Sequence, residues 1–365
     1  MNDAASRSAV ARIATYLIRP CFRVCVFPVL LNFWPVLLLV SQKALLPLGI
    51  VMAGAGTAAY RRDLLVAGLM VLASFVTYAL QVNNEYALAH LLGYVMFVLA
   101  APLINLAVRS NSERLIYFLA LFSVGNAILA FLFYALSVDL SGFRGLNIIL
   151  GNDDHTHRVY FESTSIVAVF SVAAFRTNWR RLLATFLVFT YAIFLAKSVF
   201  VILLYATNYV VPMLLRGKQW QRLASVALVI LLVTLGPMVV MLLRPDLALS
   251  IGIKLLQLET VADYAVSPWF GAGWGFVIDE IINGLEQPYQ IEMQLPMLYN
   301  QIGLIGLAAY AGGMAWLTVS TSKVAFVGWL RWGTYMIIGF SNPWLFVPSW
   351  YLTSVLLYRR LEPQR

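Results

Sequence analysis

Glu292 stands at the head of a long apolar run, IEMQLPMLYNQIGLIGLAAY, from Ile291 to Tyr310. A carboxylate this close to hydrocarbon is costly and is kept for chemistry, transport or a buried pair. Cations that could serve one site with it are spread along the chain. Lys197 and Ser198 separate two apolar stretches in FLAKSVF, and Lys254 precedes a glycine-rich segment, SPWFGAGWG, from Ser267 to Gly275. A lysine in such a place is an interfacial anchor or a cation that holds phosphate. Arg158 and Glu162 are four apart, so a helix starting near Arg158 would put them on one face as a pair. That pair reads either as a structural salt bridge or as an anion contact steadied by the acid, and Arg144 in FRGL has the same two readings. Cations stabilise a departing anion, and an acid takes a proton from an incoming hydroxyl.

Two other clusters carry polar chemistry. DDHTH holds Asp153, Asp154, His155 and His157, all good ligands for a divalent cation. A solvated polar loop explains the same letters, and the remaining histidine, His90, is far away in sequence, so neither a metal nor a cofactor is expected. In SPWFGAGWG, three glycines alternate with Trp269, Phe270 and Trp274. Flexible backbone beside flat rings suits close approach by a ligand and stacking on sugars; a plain turn between two surface helices is the simpler reading.

The elements that must position these residues are membrane spans. With 61% hydrophobic residues, 11% charged residues and a mean hydropathy of +0.82, the chain is far more apolar than a water-soluble core requires. Windows approaching the 20 or so residues needed to cross a bilayer recur at 25–41, 44–60, 64–82, 88–108, 115–137, 163–175, 182–196, 198–215, 223–243, 294–319, 325–340 and 344–358. Twelve spans with both ends inside put 18 of the 25 basic residues on the cytoplasmic side. The acids left there are only Asp3, Asp63, Glu113 and Glu362, and Arg331 falls inside a span, where it is expected to snorkel inward. The net charge of +9 is dispersed over short loops, which makes it a topology signal and excludes nucleic acid as a partner. The N-terminal stretch reads as an uncleaved anchor, and Cys21 and Cys25 alone make neither a disulfide nor a zinc site.

No repeat divides the chain, so residues 1–365 read as one membrane domain with two long external loops, 138–162 and 244–293. From 247 to 265 apolar residues recur at helical spacing around Lys254, Glu259 and Asp263, which predicts an amphipathic helix along the membrane surface. If the next span is helical from Glu292, eleven steps of about 100° return Gly303 to within roughly 20° of the glutamate's face. Pro296 is then tolerated in the first turn, and Gly303 and Gly306 admit a close neighbouring helix.

Four features occur in order: Arg158 with Glu162 before a span, Lys197 with Ser198 at an external turn, Lys254 followed by SPWFGAGWG, and Glu292 eleven residues before Gly303 and fourteen before Gly306. Together, over roughly residues 140–310, they resemble the O-antigen polymerase and O-antigen ligase superfamily of bacterial inner-membrane glycosyltransferases. The resemblance implies an all-α, polytopic helical bundle of about twelve transmembrane helices, GT-C-like, with short amphipathic helices in the large periplasmic loop. It also implies an inverting, metal-independent transfer at the periplasmic face. Its partners would be undecaprenyl-diphosphate-linked glycan donor and acceptor, membrane lipids, a chain-length regulator and a flippase. Where that family has two arginines on the diphosphate, the matching positions here are Lys197 and Lys254, with Arg144, Arg158 or Arg244 to share the anion. Where ligases have a histidine base, this chain has Glu292, which points to a polymerase rather than a ligase that transfers glycan to the lipid A core. A reading of another class is a secondary transporter or lipid-linked glycan flippase, with Glu292 or Glu162 as an ion site.

Overall fold

The computed structural model describes residues 58–81, 84–136, 148–153, 156–161, 169, 178–195, 198–234, 247–263, 267–278, 293–340 and 345–363. They are mostly helical, with one two-stranded antiparallel hairpin, and four stretches are long and apolar enough to cross a membrane: Tyr60–Leu80, Ala87–Arg109, Leu115–Ala135 and Gln294–Val319. Their outward faces are apolar as well. On the first helix Leu65, Leu69, Leu72 and Leu80 are all more than half exposed. A face of that kind is stable against lipid and unfavourable against water, which marks a membrane protein.

The main core is built by five helices: α1 (Ala58–Leu80), the first half of α2 (Ala87–Ala135), α7 (Gln294–Val319), α8 (Ala325–Ile337) and α9 (Pro348–Leu356). All nine residues of α9 are buried. Its Tyr351 meets Phe97 of α2 edge to face at 6.1 Å, and Phe97 stacks on Tyr335 of α8 at 6.4 Å. The hydroxyls of Tyr310 of α7 and Tyr335 gather at the carbonyl of Leu345 within reach of each other, so both of these buried phenols keep a partner. Between α2 and α7 in sequence lie α3 (Asn178–Thr190) with a π-helical extension Tyr191–Leu195, α4 (Val199–Arg216), α5 (Gln219–Thr234) and α6 (Leu247–Asp263). A satellite cluster of Ala127, Ala130, Val188, Tyr191 and Leu195 joins the second half of α2 to α3.

Three expectations change. The segment 109–114, expected as a turn between two spans, is part of one 49-residue helix, α2. RSNSER contains neither glycine nor proline, so nothing in it ends a helix. At 1.5 Å per residue α2 is about 73 Å long, more than two bilayer cores, so both of its apolar windows fit one bilayer only if its polar middle bends. Arg158 does not begin a helix. It lies on β2 (Thr156–Phe161), paired antiparallel with β1 (Ile148–Asp153) opposite Gly151. Residues along a strand lack the one-turn spacing that the helical pairing assumed, and Glu162 lies outside the described residues. Arg331 does not snorkel to solvent either. It is 2% exposed, donates from Nε to the Leu357 carbonyl at 2.8 Å, and pairs with Glu362 at 3.0 Å. Burial pushes the Glu362 carboxyl up, yet Arg331, Ser322 and the Lys323 N–H together hold it below the usual range.

Candidate functional site

Helix α7 is broken. Gly303 takes φ 66° and ψ −175°, so the chain leaves the helical path and resumes it one residue later. A break in an apolar helix frees backbone groups that must find partners where water is scarce. The glycine-rich loop supplies them. Ala272 N–H donates to the Asn300 carbonyl at 2.7 Å and Gly273 N–H to the Gln301 carbonyl at 2.9 Å. In return Leu304 N–H donates to the Pro268 carbonyl at 2.8 Å and Ile305 N–H to the Trp269 carbonyl at 3.2 Å. Loop and helix therefore exchange backbone hydrogen bonds on both sides of the break.

Only glycine fits where the two backbones meet. A Cβ on Gly303 would stand 2.5 Å from Phe270 N, and one on Gly271 would stand 2.6 Å from Gly303 N. The periodicity argument that put Gly303 on the face of Glu292 fails at this point, since the helix is interrupted there and begins only at Gln294. The close approach at Gly303 is made by loop backbone rather than by a neighbouring helix, and a Cβ on Gly306 would meet Ile302 of the same helix.

Side chains from the turn between α1 and α2 complete the assembly. Gln81 Nε2 donates to the Phe270 carbonyl at 2.5 Å and to the Gln301 carbonyl at 3.3 Å. Asn84 Nδ2 donates to the Gly275 carbonyl at 2.6 Å. Asn300 Nδ2 reaches the Val261 carbonyl of α6 at 2.8 Å, and Gln301 Nε2 reaches the Phe276 carbonyl at 3.2 Å. Val261, Ile278, Met293 and Met297 form a small apolar cluster that ties α6 to the start of α7. None of these amides stood out in the sequence; the signal that could have found them is the polar pair Asn300–Gln301 directly before a glycine inside an apolar run.

Trp269 and Trp274, read as one stacking platform, part company. Trp274 is 1% exposed; its ring packs 5.0 Å from Tyr94 and edge-on to His90 at 5.5 Å, and its indole N–H donates to Thr77 at 2.9 Å. It is a core anchor and presents no face to a ligand. Trp269 and Phe270 are exposed at the loop tip. A crevice of about 20 Å³ between α1 and α7, bordered by Ser74, Thr77, Tyr94, Trp274 and Gly306, has room for a water but not for a diphosphate. Truncating Trp274 to alanine is expected to lower stability by about 3–5 kcal/mol and truncating Trp269 by less than about 1 kcal/mol. Thermal unfolding of the purified variants in detergent checks this, and equal losses would contradict it.

Lys254 lies half-buried on α6, and a helix was expected there. Ser198 is buried and its N–H donates to the Ala192 carbonyl at 3.0 Å, directly before α4 begins at Val199. Glu292, Lys197, Arg144 and Glu162 themselves lie outside the described residues, as do Asp154 and His155. Among the described residues no group of three or more histidines, cysteines and acids is placed to hold a metal ion. No protein-family model, curated protein or solved structure matches the chain.

Proposed function

We propose that the chain is a polysaccharide polymerase of the bacterial inner membrane. It joins undecaprenyl-diphosphate-linked repeat units, for O-antigen or exopolysaccharide, at the periplasmic face. In this reading Glu292 takes the proton from an acceptor hydroxyl as that oxygen attacks the anomeric carbon of the donor. The bond from that carbon to the diphosphate oxygen breaks with inversion, and Lys197 and Lys254, assisted by Arg158 and Arg144, neutralise the leaving diphosphate. Trp269 and Phe270 offer the sugar platform.

One observation carries the reading. The loop bearing Trp269 and the helix that begins two residues after Glu292 are joined by four backbone hydrogen bonds. Two segments that the resemblance treats as separate motifs are thus hydrogen-bonded to each other, and Asn300 also bonds the Val261 carbonyl of α6, the helix that carries Lys254. A discontinuous helix is also a feature of secondary transporters, where freed carbonyls coordinate an ion. Here the carbonyls of Asn300 and Gln301 are already engaged by the loop, which favours a structural role for the break over ion transport.

The test is to express Glu292→Gln and Lys254→Ala in a strain lacking the gene and to analyse lipid-linked and surface glycans. Loss of a general base lowers the rate about 10²- to 10⁴-fold, so Glu292→Gln is expected to leave single repeat units and no long chains. Unchanged chain length in either variant removes that residue from the site. Long chains stranded on the lipid carrier in the deletion strain would indicate a ligase. Long chains that persist after shortening the 244–290 loop fit a polymerase poorly, and loss of single units from the surface of the deletion strain indicates a flippase.

A further inference from the structure

We propose that the turn between α1 and α2 positions the glycine-rich loop on the broken helix, with Gln81 and Asn84 as its positioning residues; this deepens, and rests on, the reading of loop and Glu292 as one transfer site. A segment such as FGAGWG has little shape of its own, because Gly271, Gly273 and Gly275 all take positive φ and gain much freedom when released. Its conformation must be imposed from outside, and contacts from this turn grip it at both ends. At Phe270 the Gln81 amide bridges two carbonyls, one on the loop and one on α7 next to the break, so it fixes their separation. At Gly275 the Asn84 amide holds the loop carbonyl while its Oδ1 accepts from Tyr86 N–H at 3.0 Å, which keeps the turn itself in shape. A Cβ on Gly275 would lie 2.5 Å from Ala87 N, so the loop rests directly on the start of α2.

Hydrogen exchange of the full-length protein in detergent, read by mass spectrometry, tests this. In Gln81→Ala and Asn84→Ala, amides of 269–276 and 300–306 are expected to exchange about fivefold to tenfold faster, as loss of one hydrogen bond predicts. Peptides around Asp63 and Ser320 should be unchanged. Gln81→Glu supplies the readout that general loosening would not give. Ionised, its carboxylate faces two carbonyl oxygens and the loop opens; protonated, its O–H donates again. Exchange corrected for the intrinsic rate should therefore be fast at pH 7 and approach wild type below about pH 4, the ordinary range of a glutamate. Polymer formation by the two alanine variants should fall with the loss of protection. Unchanged protection of the loop, absence of acid recovery in Gln81→Glu, or full polymer formation from an opened loop each overturns the proposal. Wild-type protein that makes no polymer from lipid-linked units sinks the transfer reading alone, and the exchange data then still decide the clamp.

Discussion

Gly303→Ala is expected to be a severely destabilising single-methyl change. The conformation at φ 66° and ψ −175° belongs to a region essentially reserved for glycine, where another residue is strained by about 1–3 kcal/mol. The added carbon would also stand 2.5 Å from Phe270 N, so the loop must move away. Moving it breaks the four backbone hydrogen bonds at the helix break, each worth about 1 kcal/mol net in water and more where water is scarce. Together these put the loss at about 3 kcal/mol or more, enough to lower the folded yield sharply. Gly312→Ala is the control. Its Cβ, farther along the same helix, would meet nothing within 4 Å. Thermal unfolding in detergent separates the two, and a Gly303→Ala protein that melts with wild type would show that loop and helix are not held as described.

The extent of α7 was legible because the run from Gln294 to Val319 is apolar, long and bounded by polar residues, and the helix has those bounds. The same holds for the start of α8 at Ala325. The interior of α7 was not legible. Hydrophobic periodicity assumes an unbroken helix, and a single residue at positive φ alters the path without altering the letters. A glycine in an apolar run announces close approach, but helix packing and loop docking use the same residue. Trp274 misled for a related reason. Composition placed it beside Trp269 in one glycine-rich loop, while the backbone turns one ring into the core and leaves the other out. Arg331 and Glu362 are 31 positions apart, a pairing that no local pattern reveals. Charge sidedness, by contrast, needs no fold at all. The described ends of the bundle are chemically distinct: Asp63, Arg109, Ser320 and Glu362 lie at one, and Gln81, Asn84 and the glycine-rich loop at the other.

The far end carries the second large effect. Asp63 is 1% exposed at the start of α1 and pairs with Arg109 of α2 at 2.8 Å. Asn105 Nδ2 donates to the same carboxylate at 3.0 Å and to the Leu317 carbonyl at 2.9 Å, and Tyr351 of α9 donates its hydroxyl to Asn105 Oδ1 at 3.0 Å. Arg109 continues to Ser320 Oγ at 2.7 Å. One carboxylate thus ties α1, α2, α7 and α9 together opposite the loop. Removing one partner of a buried pair leaves the other charge and its donors without compensation, at about 3–5 kcal/mol. Asp63→Ala is therefore expected to melt the core well before wild type, whereas Asp63→Asn, which keeps the volume and an acceptor for Asn105, should lose less. Because Arg109 is about a quarter exposed, its own truncation should sit at the low end of that range. The decisive quantity is the double-mutant cycle of Asp63→Ala with Arg109→Ala, expected to show a coupling of at least about 1 kcal/mol. A coupling near zero would mean that Arg109 is satisfied by Ser320 and solvent, and that the order of this end comes from Asn105 and Tyr351 rather than from the ion pair.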